Sequence, residues 1–162
     1  MNYYNEISKG YDELHGEEQM RKARIIAGRL DPAKNDCLLD VGSGNGAYLA
    51  LFDCQVTGID PSEELVNKYG GEHKLIVGKA ENMPFQDNTF DIVMSITSIH
   101  NFDSIEKGLK EMRRVGRGGF VFSVLKKSKN AARIEKLINK FFVVDEIVEE
   151  RIDRIFFCHE HI

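Results

Sequence analysis

Five residues, Gly42-Ser43-Gly44-Asn45-Gly46, follow an apolar run that carries an acid, Asp40, and precede a second apolar run that ends on another acid, Asp60. Glycines at alternate positions permit a tight turn and let a ligand approach the backbone closely. Two ligand chemistries suit such a loop. A dinucleotide sets its pyrophosphate on the N-terminus of the following helix, and Gly42-x-Gly44-x-x-Ala47 satisfies the permissive form of that fingerprint. A nucleoside without phosphates uses the loop for van der Waals contact instead. Asp60 is placed to accept from ribose hydroxyls in either case, so it does not separate the two. Asp40 does, because a carboxylate ahead of the loop repels a pyrophosphate and favours a ligand carrying an ammonium or sulfonium charge. No Lys or Arg follows within the loop, which excludes a lysine-bearing phosphate loop.

These residues need a strand before the loop and another before Asp60. Short apolar runs recur at 37–42, 55–60, 75–80, 90–97 and 119–125, separated by stretches of helical pattern: GAYLALF, SEELVNKYG, a connection through Asn82-Met83-Pro84-Phe85, and SIEKGLKEMRRV. Strands buried on both faces read as continuous apolar runs, and alternation with helices implies a parallel sheet with right-handed crossovers. The expected fold is therefore α/β, a doubly wound Rossmann-like sheet. Ahead of it, Met20, Ala23, Ile26, Ala27 and Leu30 fall at helical spacing over 17–30, and Asp31-Pro32 stops the helix. After it, NAARIEKLINKFF predicts a helix, and VVDEIVEER and IDRIFFCHE two strands joined almost directly. So short a link suits only an antiparallel hairpin, so the sheet should end with an antiparallel C-terminal strand. One domain over 1–162 is expected: an N-terminal lid and helix (1–35), a cofactor-binding core (36–125), and a helix with the hairpin (126–162).

Composition supports an ordinary globular chain, with 162 residues, 42% hydrophobic and 30% charged, and neither repeats nor low-complexity tracts. The first residues lack the apolar core of a signal peptide, and no apolar run approaches the roughly 18 residues of a membrane span, so a cytoplasmic protein without a membrane partner is expected. Cys37, Cys54 and Cys158 show no paired spacing and are expected to be small buried hydrophobes, with no metal site. The net charge of −4 is too acidic for indiscriminate nucleic-acid binding, yet residues 105–140 carry eleven cations against three acids, a local +8.

In order and spacing, LLDVGSGNG, VTGIDPS, VGKAENMPFQDNTFD, IVMSITSIHNF and EMRRVGRGGFVFSV resemble the successive motifs of class I S-adenosylmethionine-dependent methyltransferases, of the type-11 group that includes the ubiquinone-biosynthesis enzymes. The resemblance runs from about Tyr11 to the C-terminus. It implies a seven-stranded sheet whose last strand is antiparallel, S-adenosylmethionine as cofactor and S-adenosylhomocysteine as product. It further implies that Gly42, Gly44 and Gly46 pass under the cofactor, that Asp40 faces its amino group, that Asp60 binds the ribose, and that Pro61 packs near the adenine. Where relatives often carry Gly-Asp-Ala at the third strand, this chain reads Gly78-Lys79-Ala80-Glu81. Lysine has no acceptor, so Glu81 is expected to take over the adenine contact and Ala80 to offer its backbone amide. Ser95 and Ile96, ending the fourth strand, are expected beside the sulfonium. His100 is a candidate base or substrate-positioning group, the alternative being a loop-packing histidine. Tyr3, Tyr4, Tyr11 and Asp12 match a segment that in relatives folds over the cofactor, and 113–119 is expected to be a plain turn into the fifth strand.

The chain lacks the Pro-Pro-Tyr, Pro-Cys and acidic-cluster signatures of amino-, cytosine-C5- and metal-dependent catechol methyltransferases. Little of it could wall a pocket, which favours a large substrate with its own surface or a partner subunit such as a small activator. The basic 105–140 segment, expected near the cleft mouth, suits RNA or an acidic protein, or is a solvated helix face. Two further functions stay open: a silent, cofactor-binding subunit, and a nicotinamide-dependent oxidoreductase, which Asp40 disfavours.

Overall fold

A computed structural model describes the backbone of residues 2–162 and the side chains of residues 13–162. The elements are α1 (Asn2–Leu30), β1 (Cys37–Val41), β2 (Gln55–Asp60), α2 (Glu63–Asn67), β3 (Lys74–Val77), β4 (Phe90–Ile96), α3 (Ile105–Val115), β5 (Gly116–Leu125), α4 (Ala131–Phe141), β6 (Phe142–Glu149) and β7 (Asp153–Glu160). Their order in the one seven-stranded sheet is β3-β2-β1-β4-β5-β7-β6. The strands from β3 to β5 pair in parallel, and β7 runs antiparallel to both β5 and β6. The expected Rossmann-like architecture with an antiparallel C-terminal strand is the one observed.

Alternation along the strands sends side chains to two apolar layers. Leu39, Val41, Val93, Phe120 and Phe122 meet the buried stripes of α3 (Leu109, Met112, Val115) and α4 (Ile134, Ile138, Phe141) on one face. Leu38, Ile92, Met94 and Val121 meet Ala23 and Ile26 of α1, with Leu49 and Phe52, on the other. Asp40 shares that second face with Leu38, and its position beneath the glycine loop follows from this.

The elements depart from expectation in three places. Helix α1 begins at Asn2 and not at 17, so Tyr3, Tyr4, Tyr11 and Asp12 lie on a helix, although their side chains fall outside the described residues. GAYLALF forms turns and a single 3-10 turn at Leu49–Leu51. The stretch has to return across the sheet to β2 within a few residues, and it buries Tyr48, Leu49 and Phe52 together under α1. The expected turn at 113–119 does not exist: α3 ends at Val115 and β5 begins at Gly116. A Cβ at Gly116 would stand 2.5 Å from Phe120, so only glycine lets the helix abut the strand there. Of the cysteines, Cys158 is buried while Cys37 and Cys54 are half-buried. Among the described residues no helix is long and apolar enough to cross a membrane.

Candidate functional site

The carboxyl ends of β1, β2 and β4, the glycine loop and the middle of α1 enclose a cleft of about 630 Å³. That volume lies within the roughly 300–1,000 Å³ usual for small-molecule sites. One half is formed by Gly42, Ser43, Gly44, Tyr48, Asp60 and Leu65. The other is formed by Gln19, Lys22, Thr97, His100, Leu125 and Ile152. The cleft is therefore walled by α1, which corrects the expectation of an uncapped site.

The loop owes its shape to positive φ at Gly42 (80°), Gly44 (57°) and Gly46 (71°). The three glycines have different surroundings. A Cβ at Gly42 would fall 1.8 Å from Ser98 Oγ, and one at Gly46 would fall 2.7 Å from the Tyr69 ring, so both positions are closed by protein. A Cβ at Gly44 would meet nothing within 4 Å among the described residues, and this glycine opens on the cleft. Asp60 braces the loop: Gly44 N–H donates to Oδ2 (2.9 Å) and Ser62 N–H to Oδ1 (2.9 Å). Both oxygens keep a second lone pair, and the residue faces the cleft. The N-cap of α2 is Ser62, whose Oγ accepts from Leu65 N–H (3.2 Å).

Asp40 lies fully buried below the loop and is not itself among the residues that line the cleft, although Tyr48, which bonds it, is. The Tyr48 hydroxyl donates to its Oδ2, while Oδ1 has no hydrogen-bond partner among the described residues. Burial pushes its pKa up to about 7; the Tyr48 hydrogen bond opposes the shift and the nearby Asp60 charge adds to it. An acceptor oxygen without a donor, buried under a glycine loop, fits a ligand that brings a cationic donor.

The other half of the cleft rests on a buried polar network. Lys22, only 1% exposed, donates to Thr97 Oγ1 (2.6 Å) and Gln19 Oε1 (3.0 Å), and its Nζ lies 3.2 Å from Asp153 Oδ1. Thr97 and Ser123 hydroxyls donate to Asp153 Oδ2 at 2.6 and 2.5 Å. Thr97 has φ 50°, an outlier for a β-branched residue, which the surrounding bonds must hold in place. His100 follows, half-buried, and burial lowers its pKa, with Asp153 acting against and Lys22 with the shift. The shift favours the neutral imidazole.

Several expected site residues lie elsewhere. Ser95 Oγ donates to Val41 O (2.8 Å) and Ile96 is packed in the core: both are still strand residues, the last two of β4, paired with Phe122 and Ser123. Thr97 and Ser98 line the cleft in their place. Glu81 Oε1 accepts from Ser104 N–H (3.1 Å) and Lys79 pairs with Asp103 (2.9 Å), so both side chains tie the segment after β3 to the start of α3. Ala80 is buried in the core and Pro61 is exposed; neither lines the cleft. Sequence reasoning missed Lys22, Thr97, Asp153, Tyr48 and Leu65. Only Tyr48, two residues past Gly46, offered a signal, as a buried aromatic beside a buried acid.

A doubly wound sheet with a glycine loop and an acid at the end of its second strand defines a nucleoside-cofactor-binding domain. Residues 39–123 match the family model described as "Methyltransferase domain". The chain belongs to this family, the class I methyltransferases of the type-11 group, whose cofactor is S-adenosylmethionine. It is 30% identical over 126 residues to an uncharacterised protein of Methanocaldococcus jannaschii, covering 75% of this chain and 50% of the relative. It is 29% identical over 133 residues to a demethylmenaquinone methyltransferase of Chlorobaculum tepidum, covering 73% of this chain and 55% of the relative. The chain thus spans about half the length of the curated relatives it matches. Among solved structures, a Haloferax volcanii methyltransferase in complex with the Trm112 activator superposes with a TM-score of 0.77 at 18% identity, covering 94% of both chains.

Proposed function

We propose that the chain transfers a methyl group from S-adenosylmethionine to a nucleophile presented against Gln19, Thr97 and His100. The observation that carries this reading is the unpartnered Oδ1 of buried Asp40, directly under a glycine loop whose Gly44 opens on the cleft. In this reading Asp40 receives the cofactor's ammonium, Asp60 the ribose hydroxyls, and Gly42, Ser43 and Gly44 the backbone-side contacts. Gly46 acts indirectly, by letting Tyr69 pack under the loop. Leu65 takes the apolar contact first assigned to Pro61, and Ala80, Glu81, Ser95 and Ile96 support the site from behind. When bound, the cofactor supplies a methyl group on a positively charged sulfur.

The chain's own residues then have limited work. A neutral His100 accepts a proton from an acceptor that carries one, and α1 keeps water off the reacting centre. Alignment supplies much of the rest, since methyl transfer to a good nucleophile depends chiefly on proximity. The acceptor side of the cleft leads through Leu125 to the cationic loop that follows it, so an acceptor larger than the cleft can rest its remainder on segment 105–140. A small activator subunit is a candidate partner, by likeness to the Haloferax fold neighbour.

Isothermal titration calorimetry with S-adenosylmethionine, S-adenosylhomocysteine and NAD tests the reading. Micromolar binding of the first two and not the third is expected, and His100→Ala should leave the S-adenosylhomocysteine Kd within about twofold while abolishing turnover of any acceptor found. Binding of NAD alone overturns it. Absence of all binding points to a silent subunit.

A further inference from the structure

The cations of segment 105–140 do not distribute evenly over the fold. Helices α3 and α4 lie side by side on one sheet face and turn polar stripes outward. The acids in them are already neutralised: Glu106 by Lys110 (3.3 Å), Glu111 by Arg114 (2.6 Å) and Glu135 by Arg154 (2.8 Å). What remains on this side is exposed positive charge. Lys107 and Arg113 stand on α3, Lys127 and Lys129 in the loop after β5, and Arg133, Lys136 and Lys140 on α4. Among the described residues none of these seven takes part in an ion pair. Lys110, Arg113 and Lys140 even converge on one ring, Phe141, at 5.7, 5.2 and 5.4 Å from its centroid. Asp87 and Glu160 border this end of the face, yet the cations outnumber the acids across it, and like charges so gathered cost free energy, which a polyanion would recover.

The chemistry of the face selects the partner. Protein interfaces are enriched in aromatic side chains and methionine at their centre and depleted of lysine. Here the exposed side chains are mostly lysines, and the exposed large hydrophobics, Leu14, Val77, Ile147 and Ile162, all lie outside α3 and α4. Phe141, the one aromatic of these helices, is only 5% exposed, so unstacked bases find no platform. Such a face contacts phosphates and not bases. Both helices lie flat on the sheet with no element projecting from them, which suits the wide, shallow minor groove of A-form RNA better than the B-form major groove, which takes an inserted helix.

We propose that the α3–α4 face and the loop 126–130 dock the phosphate backbone of a structured RNA. The strip starts at the cleft: Leu125 and Ile152 line it, and Lys126 N–H bonds Ile152 O at 2.9 Å. As the route by which an acceptor nucleotide reaches the cleft, the inference rests on the methyltransferase reading above; as a binding surface it stands alone.

Fluorescence anisotropy of the full chain with a labelled, stem-containing transcript, from 50 to 300 mM salt, tests it. With five to seven phosphate contacts, log Kobs should fall against log salt with a slope of about −3.5 to −6. Arg133→Glu with Lys136→Glu should weaken binding more than tenfold at 50 mM salt and flatten the slope by about 2 or more. Arg24→Glu with Lys34→Glu changes net charge equally away from this face and should stay within twofold of the parent. No RNA binding at 50 mM salt, a slope flatter than −2, equal loss in the control, or preference for polyglutamate or duplex DNA overturns the proposal. S-adenosylhomocysteine titrations of the same variants separate the two readings: RNA binding without cofactor binding removes the enzyme and leaves the surface.

Discussion

Replacing Asp40 with Asn should make the protein more stable and a worse cofactor binder, and both effects can be sized. The carboxyl is raised from 3.8 to about 7, chiefly by burial. Between these values the unfolded chain has released its proton while the folded chain keeps it, so the folded state binds more protons and its stability falls as pH rises through the window. Above pH 7 both states are ionised and the full cost is in place. Three units at 1.36 kcal/mol each come to about 4 kcal/mol. Asn carries no such charge and can still accept from Tyr48, so Asp40→Asn should melt several degrees above the parent at pH 8 and near it at pH 4.

Cofactor affinity should respond in the opposite sense. If the ammonium binds only the ionised form, the apparent Kd scales as one plus the ratio of protonated to ionised Asp40. For a pKa of about 7, lowering the pH from 7.0 to 5.5 weakens binding about sixteenfold, in a range where an α-amino group of pKa roughly 8 stays charged. Calorimetry in two buffers of different ionisation enthalpy should show a proton released on binding at pH 6.5. Asp40→Asn should bind weakly and without this pH dependence. A variant less stable than the parent at pH 8, or a parent Kd flat from pH 5.5 to 7.0, would refute the placement of an uncompensated buried carboxyl at this site.

Tyr48→Phe removes the one donor to Asp40 among the described residues and should move the midpoint of the pH-dependent Kd upward, read in the same titration. Gly42→Ala and Gly44→Ala separate folding from binding. The first drives a Cβ into Ser98 and should lower Tm sharply; the second faces open space and should cost about 1 kcal/mol of strain yet weaken S-adenosylhomocysteine binding at least tenfold. Lys22→Met strands Asp153 as an unpaired buried charge and should destabilise by about 3–5 kcal/mol in urea denaturation, most of it recovered when Asp153→Asn is added.

What could be read from the sequence divides along physical lines. The strands were legible because β1, β4 and β5 are buried on both faces and show as unbroken apolar runs, and the hairpin because no parallel crossover fits between residues 149 and 153. Asp60 and the glycines were legible because a tight turn and an acid at the end of the second strand are local demands. The acceptor half of the cleft was not. Lys22 reads as one polar position in an amphipathic helix; its burial depends on Asp153, which arrives from the far end of the chain. Thr97 carries no sign that its backbone is left-handed. Ser95 and Ile96 end the fourth strand as expected, but both side chains are buried in the protein, and the two residues that follow line the cleft.

The two acids of the cofactor half show why the site is built at a cost. Asp60 is complete within the protein, holding two N–H groups and keeping spare lone pairs for a neutral ligand. Among the described residues Asp40 is incomplete: one oxygen takes the Tyr48 hydroxyl and the other takes nothing. A protein selected only for stability would place Asn or an apolar residue there. The same carboxylate, ionised against a cationic ligand in a site closed from water, gains attraction that an exposed one loses to solvent. In the proposed reading, a stability cost in the free protein and affinity for the cofactor are two consequences of one buried charge, and a substitution that relieves the first should degrade the second.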